Sequence, residues 1–283
     1  MALRILVTHP LPRTDTSAGD DIAGSWGVRA MSAVEDSIRK HAKKVTRPDT
    51  EVTQWYVDKY SGSLQNLYLA TVNSMPLVDR IIRAEEEGYD AVVVGCHGDG
   101  GVQIARSVVH IPVIGPCEAS LTMGHFIGEK FAMITIREQY LRLLEYNIRL
   151  YGFEDRFIKN RPLRWLERWF WDDMMDAHRG KPERLIELFE KTALECVKDG
   201  ADTILVPGFP FGAALTMAGY TQVADTGVPI VDGAAAAYKL AEALADLRRS
   251  IGLTRTNAQS SQYQQLPREF VDRARREFGF LGH

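Results

Sequence analysis

Short apolar, β-branched runs bounded by glycine alternate along the chain with longer stretches of helical periodicity, and two of the runs match each other. Gly88-Tyr89-Asp90-Ala91-Val92-Val93-Val94-Gly95-Cys96 recurs as Gly200-Ala201-Asp202-Thr203-Ile204-Leu205-Val206-Pro207-Gly208, every position 112 further on. Apolar runs of this length and composition predict buried parallel strands. Each is followed by a turn, a helix and a second strand, Ile111-Pro112-Val113-Ile114-Gly115 in one half and Val228-Pro229-Ile230-Val231-Asp232-Gly233 in the other.

The remaining pattern extends this alternation. Strands are predicted at Leu3 to Thr8, Glu51 to Val57 and Lys130 to Thr135. Helices are predicted at Ala30 to Lys44, about Leu64 to Glu87, Glu138 to Tyr151 and Pro182 to Asp199. A polar loop is expected after the first strand, through about Gly24. Strands alternating with helices predict an α/β fold with parallel sheets. The repeat predicts two similar half-molecules facing each other across a cleft, and ligands in open α/β sheets bind just beyond the carboxyl ends of the strands, where Cys96 stands. The expected division is 1–116 plus 234–283 for one domain and 117–233 for the other. The helices Cys117 to Ile127 and Ala234 to Ala245 are placed to cross between the halves.

Residues 156–181 break the symmetry, with Trp165, Trp169 and Trp171 among charged residues. The expectation is a helical insertion packed on its domain, or a surface between copies of a homo-oligomer; a lid over the cleft is the functional alternative. Asn257 to Gln265 is expected to be loop, and Pro267 to Phe278 a short amphipathic helix begun by a proline.

Composition narrows the functional class. The chain has 283 residues, 45% hydrophobic and 25% charged, with a net charge of −3. No basic stripe points to nucleic acid, and no stretch approaches the ~20 apolar residues of a membrane span. The first residues are too short an apolar run for a secretion signal, and three cysteines without framework spacing fit a reducing cytoplasm. No zinc or nucleotide motif is present, so neither metal nor organic cofactor is expected.

Chemistry concentrates at Cys96. It stands between a strand end and the turn Gly98-Asp99-Gly100-Gly101, which opens a helix near Val102. A thiol near a helix start is expected to favour the thiolate, and the glycines allow a ligand to approach the backbone closely. Cys196 reads as a buried helix residue, and Cys117 as structural.

The block Gly95-Cys96-His97-Gly98-Asp99-Gly100-Gly101, the segment Ile111 to Gly115 with Glu118-Ala119, Phe131-Ala132-Met133-Ile134-Thr135 and Gly227 to Gly233 with the Ala-rich stretch to Ala243 resemble the aspartate/glutamate/hydantoin racemase superfamily. Hydantoin and allantoin racemases are the most similar branch. The resemblance implies two pseudo-symmetric Rossmann-like domains with parallel sheets and the active site in the interdomain cleft. It also implies cofactor-independent proton transfer by two cysteines, one per half, on opposite faces of a carbon next to a carboxylate or carbonyl. Cys96 falls on the first position, and the second falls on Gly208. The resemblance also places His9, within Thr8-His9-Pro10, at a site position and makes Thr135 a carboxylate binder.

Gly208 can neither remove nor deliver a proton. A single cysteine is therefore expected to act by proton transfer or by nucleophilic attack, in isomerase or lyase/decarboxylase chemistry on a small carboxylate or carbonyl compound. His97 and His9 are the candidate additional acid/base groups. Gly98, Asp99, Thr135, Arg137, Gly208 and Phe209 are the candidate substrate contacts, with Asp99 alternatively a helix cap and Arg137 a clamp for a carboxylate. Gly208 is expected to leave a small apolar space beside Phe209 and Phe211. Two alternatives stand: a two-base amino-acid or hydantoin racemase with a non-cysteine second base, and a non-catalytic two-lobed binding protein.

Overall fold

The computed structural model describes residues 2–11, 25–61, 64, 66–167 and 171–280. The expected loop from residue 12 to Gly24, and Trp169, lie outside the described residues.

Two four-stranded, wholly parallel sheets organise the chain. The first has strand order β2-β1-β3-β4, from β1 (Leu3–His9), β2 (Thr50–Tyr56), β3 (Ala91–Val94) and β4 (Val113–Ile114). The second has order β6-β5-β7-β8, from β5 (Phe131–Thr135), β6 (Leu163–Trp165), β7 (Thr203–Val206) and β8 (Ile230–Asp232). Strands β3 and β7 are buried along their whole length, as β-branched runs without polar alternation require.

Register makes the pseudo-symmetry explicit. Ile5 pairs with Ala91 in the first sheet, and Phe131 pairs with Thr203 in the second. Ala91 and Thr203 are repeat partners, so Ile5 corresponds to Phe131. Four residues on, His9 corresponds to Thr135. Cys96 and Gly208 then stand at equivalent points, two residues beyond their strands.

The helices are α1 (Ser25–Val45), α2 (Leu67–Glu86), α3 (Val102–Arg106), α4 (Pro116–Ile127), α5 (Leu141–Leu150), α6 (Trp171–His178), α7 (Glu183–Lys198), α8 (Phe209–Met217), α9 (Gly233–Ile251) and α10 (Arg268–Glu277). Asn66 begins α2 by accepting the N–H groups of Tyr68 and Leu69, a side-chain cap that starts the helix slightly later than its apolar pattern does. Helix α4 packs on the second sheet and α9 on the first, and the two pack against each other. This exchange puts Leu121, Phe131, Ala237 and Ile5 into one apolar core shared by both lobes. No described helix is long and apolar enough to cross a membrane.

The segment at 156–181 differs from the helical insertion expected. It contains β6, the edge strand that completes the second sheet, before α6. The strand has only three residues, and its centre is Arg164, a residue type that reads as surface. Arg164 is 2% exposed. It bonds to Asp199, and lies 3.3 Å from Glu195, both on or next to α7. A buried cation is tolerated because carboxylates meet it.

Candidate active site

Strand β3 delivers the chain into a tight turn. The Asp99 N–H donates to the Cys96 carbonyl at 3.1 Å, and the Val102 N–H donates to the Asp99 carbonyl at 3.2 Å. Asp99 has φ of 51° and Gly101 of 81°, the left-handed region that costs a non-glycine residue free energy unless its side chain is held. Asp99 is held. Its carboxylate accepts the N–H groups of Cys117 and Glu118 at 2.9 and 2.8 Å, and the Tyr151 hydroxyl at 2.9 Å. With both oxygens committed, Asp99 is the cap of α4, in place of the substrate contact expected of it.

Cys96 is half-buried and borders a cavity of about 120 Å³. Pro10, His97 and Gly98 form one side; Leu67, Ala70 and Leu77 of α2 form another; Tyr140 and Leu143 close it from the second lobe. The remaining polar contributions are Thr71, Asn73 and Ser74, so the described lining holds no carboxylate, ammonium or guanidinium. Burial pushes the Cys96 thiol up to about 11, while the Gly98 and Gly100 N–H groups pull it down. The thiolate expected from the adjoining helix start is therefore not the resting form: desolvation outweighs the backbone donors, and α3 is only five residues long.

His97 lies with its ring edge-on to Tyr140, centroids 3.9 Å apart. Its buried Nε2 has no protein partner, and burial lowers its pKa to about 4. His9 is fully buried behind the turn. Its Nε2 meets Gln54 Oε1 at 3.1 Å, and its ring stacks on Tyr56 and meets Phe209 edge-on. Its Nδ1 is unpartnered and would stand 2.6 Å from any Cβ on Gly95. Gly95 is thus required by the imidazole beside it.

The second lobe presents a different picture. Gly208 begins α8, and a Cβ there would lie 3.0 Å from the Phe211 Cβ. Phe209 is 0% exposed and packs between His9 and Tyr238. The open apolar space expected beside Gly208 is consequently filled. Thr135 is buried, and Arg137 begins a 3-10 turn at Glu138–Tyr140; neither lines the cavity beside Cys96. Cys117 and Cys196 are both 0% exposed, as the sequence indicated. Glu118 pairs with Arg106 at 2.5 Å.

The walls supplied by α2 and by Tyr140 and Leu143 were not singled out in the sequence. Their signal is an apolar helix face, which looks the same whether it covers a core or a ligand.

The buried titratable groups set the response to pH. His9, His97 and His178 are each held near 4 by burial, against 6.5 in solution. Between these values the unfolded chain binds protons that the folded chain refuses, so stability rises with pH. Asp99 opposes this, because burial raises its carboxyl from 3.8 to about 7 and the folded state keeps a proton the unfolded state has lost. Three groups outweigh one. The thermal midpoint is expected to climb from pH 4 to pH 6.5; a flat or falling midpoint in calorimetry contradicts this accounting.

Comparison with known proteins bears on this geometry. The family model for Asp/Glu/Hydantoin racemase matches residues 27–241. A hydantoin racemase of Pseudomonas sp. (strain NS671) is 28% identical over 232 residues, covering 79% of this chain and 86% of the relative. A hydantoin racemase of Rhizobium meliloti is 33% identical over 175 residues, covering 59% of this chain and 65% of that one. Among solved structures, allantoin racemase from Klebsiella pneumoniae superposes with a TM-score of 0.72 at 21% identity, covering 94% of each chain. A sulfate-associated mutant of arylmalonate decarboxylase superposes with a TM-score of 0.55 at 15% identity, covering 93% of this chain and 100% of that one.

Proposed function

The chain belongs to the Asp/Glu/hydantoin racemase family, and on that premise we propose that it is a cofactor-independent enzyme in which one thiol, Cys96, moves a proton at a carbon next to a carbonyl. The observation that carries this reading is one-sidedness. The position equivalent to Cys96 is Gly208, closed in by Phe211 and lying next to buried Phe209, while Cys96 borders a cavity of its own. A single group returns a proton to the face it came from, or to another atom, or lets the carbanion expel a leaving group. Isomerase or lyase chemistry follows from that constraint. The working lobes are 1–116 plus 234–283 and 117–233, with the substrate between them.

The described lining is uncharged, and that favours one substrate class. A carboxylate buried there has no counter-charge among the described residues and would be strongly disfavoured. A carbon acidified by a neutral amide or imide carbonyl carries no such cost. The hydantoin ring of the curated relatives' names is of this kind, and Leu67, Ala70, Leu77 and Leu143 suit an apolar substituent on it. The Cys96 thiol keeps its proton in neutral solution, so it takes the substrate's proton as the minor thiolate form, or after substrate has rearranged the turn, and the thiol so formed returns a proton to the enolate on the same face. His97, a neutral imidazole with a free nitrogen, is the partner for the substrate carbonyl.

Racemisation with His9 as the second base is the other reading. It is favoured by the unpartnered Nδ1 of His9 against Gly95 and by the hydantoin racemases among the relatives.

Chemical modification tests the assignment of the thiol. Iodoacetamide is expected to label Cys96 before Cys117 and Cys196, with hydrogen exchange into an apolar-substituted hydantoin lost in step with that label. Labelling of Cys96 that leaves exchange intact overturns the assignment.

A further inference from the structure

Helix α5 lies in the second lobe, yet one of its faces runs along the Cys96 turn of the first. Tyr140, at its start, meets the His97 ring. Leu143 fills the space that a side chain on Gly98 would need. Asn147 donates its amide N–H to the Gly98 carbonyl at 3.0 Å, and the Tyr151 hydroxyl donates to Asp99 at 2.9 Å. Positions 140, 143, 147 and 151 recur at the three- and four-residue spacing of a single helix face. Asn147 is 4% exposed, so its bond to the turn is sheltered from water.

The turn it grips is the one whose Gly98 and Gly100 N–H groups draw the Cys96 thiol toward lower pKa, against its burial. We propose that Asn147 and Tyr151 are positioning residues for the Cys96 thiol: gripping the turn from the second lobe, they keep those N–H groups on the sulfur and make the acidity of the thiol depend on contact between the lobes. The inference rests on Cys96 being the reacting group. It adds the means by which a residue of one lobe senses the other.

Two features of the turn make an external grip necessary. Asp99 sits at positive φ, a conformation that persists only where surroundings over-determine it. Its neighbours are glycines, which hold no shape of their own. The α4 N–H groups fix one side of Asp99, and α5 fixes the other. A donor to the Gly98 carbonyl also polarises the peptide group it shares with Asp99, whose N–H bonds the Cys96 carbonyl and closes the turn.

The ionisable groups around the thiol come from several elements. Asp99 and His97 lie on its own turn, and His9 is on β1. Tyr140 and Tyr151 flank α5, Cys117 and Glu118 are on α4, and Arg106 of α3 pairs with Glu118. Helix α2 brings no ionisable side chain to the cavity. Asn147 is itself uncharged, so a change in thiol acidity on its replacement reports the grip and not the loss of a charge.

The test reads the sulfur directly, by the pH dependence of iodoacetamide alkylation at Cys96 in the full chain, quantified on the Cys96 peptide. In Asn147→Leu, which keeps the branched shape and heavy-atom count and removes the donor, alkylation at a fixed alkaline pH is expected to slow about tenfold, one unit in thiol pKa. Tyr151→Phe removes only a hydroxyl and is expected to slow alkylation in the same direction; it carries the test alone should Asn147→Leu fail to fold. Arg142→Gln, on the same helix but turned to solvent, is expected to keep the wild-type profile. Wild-type profiles in both Asn147→Leu and Tyr151→Phe overturn the proposal. Because turnover is not the readout, that result would leave the role of Cys96 standing, whereas hydrogen exchange surviving Cys96 alkylation would remove the role and leave the grip in place.

Discussion

Replacing Cys96 by serine is expected to lower enzyme-catalysed hydrogen exchange by about three orders of magnitude, the scale set by losing a positioned acid or base. The substitution changes one atom and leaves the half-buried site its volume. The hydroxyl proton, however, is far less available than the thiol proton, which burial has already pushed up to about 11. Neither Gly208 nor any other cysteine can take over, since Cys117 and Cys196 are wholly enclosed. Cys117→Ser and Cys196→Ser are therefore expected to retain exchange. Rates measured by mass spectrometry, with circular dichroism as the check on folding, decide it. Full exchange in folded Cys96→Ser would favour a binding protein or a different catalytic group.

The largest effect on stability is expected at Asp232, which ends β8. Its carboxylate accepts His41 Nε2 at 2.7 Å, the Thr216 hydroxyl at 2.8 Å, and the N–H groups of Ala234 and Ala235 at 2.9 and 3.3 Å. Asp232→Ala strips the cap from α9, the helix that ties the second lobe to the first sheet, and leaves the fully buried His41 without that partner. Leaving a buried donor without its acceptor costs about 1–3 kcal/mol, and the lost cap adds about 1 kcal/mol. Denaturant titration is the measurement. Asp232→Asn, which keeps an oxygen for the cap, is expected to lose less. A loss below about 1 kcal/mol in Asp232→Ala would mean that His41 finds another partner or water, contrary to its packing.

Asp232 also shows how far the repeat could be read. The strand ends align Gly115 with Asp232, so the first lobe has no carboxylate at that position. It is supplied from elsewhere: Asp99, in the turn, caps α4 at the residues corresponding to those that Asp232 caps on α9. Each carboxylate needs a glycine facing it. A side chain on Gly115 would collide with Asp99, and one on Gly212 with Asp232. The sequence displayed all four residues, but their complementarity appears only when turn and strand end are brought together.

The same division runs through the rest of the molecule. Strands β3 and β7, and the strands that follow them, were legible because their apolar runs have one face-independent pattern bounded by glycine. Strand β6 was not, because three residues centred on Arg164 carry no such pattern and its burial depends on Asp199 and Glu195. Of the cavity's lining, Cys96, His97 and Gly98 are legible from the turn they form. The face of α5 that grips them is separated from that turn by more than forty residues, and nothing local to Leu141–Leu150 announces its partner. The acidity of the thiol was misjudged for a related reason: a helix start is visible in a sequence, but desolvation is a property of packed neighbours.

The central claim, a single thiol acting from one face, is tested most directly by following an enantiopure hydantoin with an apolar substituent on its stereogenic carbon, in heavy water near neutral pH. Mass spectrometry and polarimetry are read on the same sample. The account predicts that deuterium enters at that carbon while the optical rotation holds, for one enantiomer and not the other, because the proton leaves and returns on the face toward Cys96. Rotation decaying to zero from either enantiomer, in step with deuterium uptake, would contradict it and place a second acid or base, His9 first, on the opposite face.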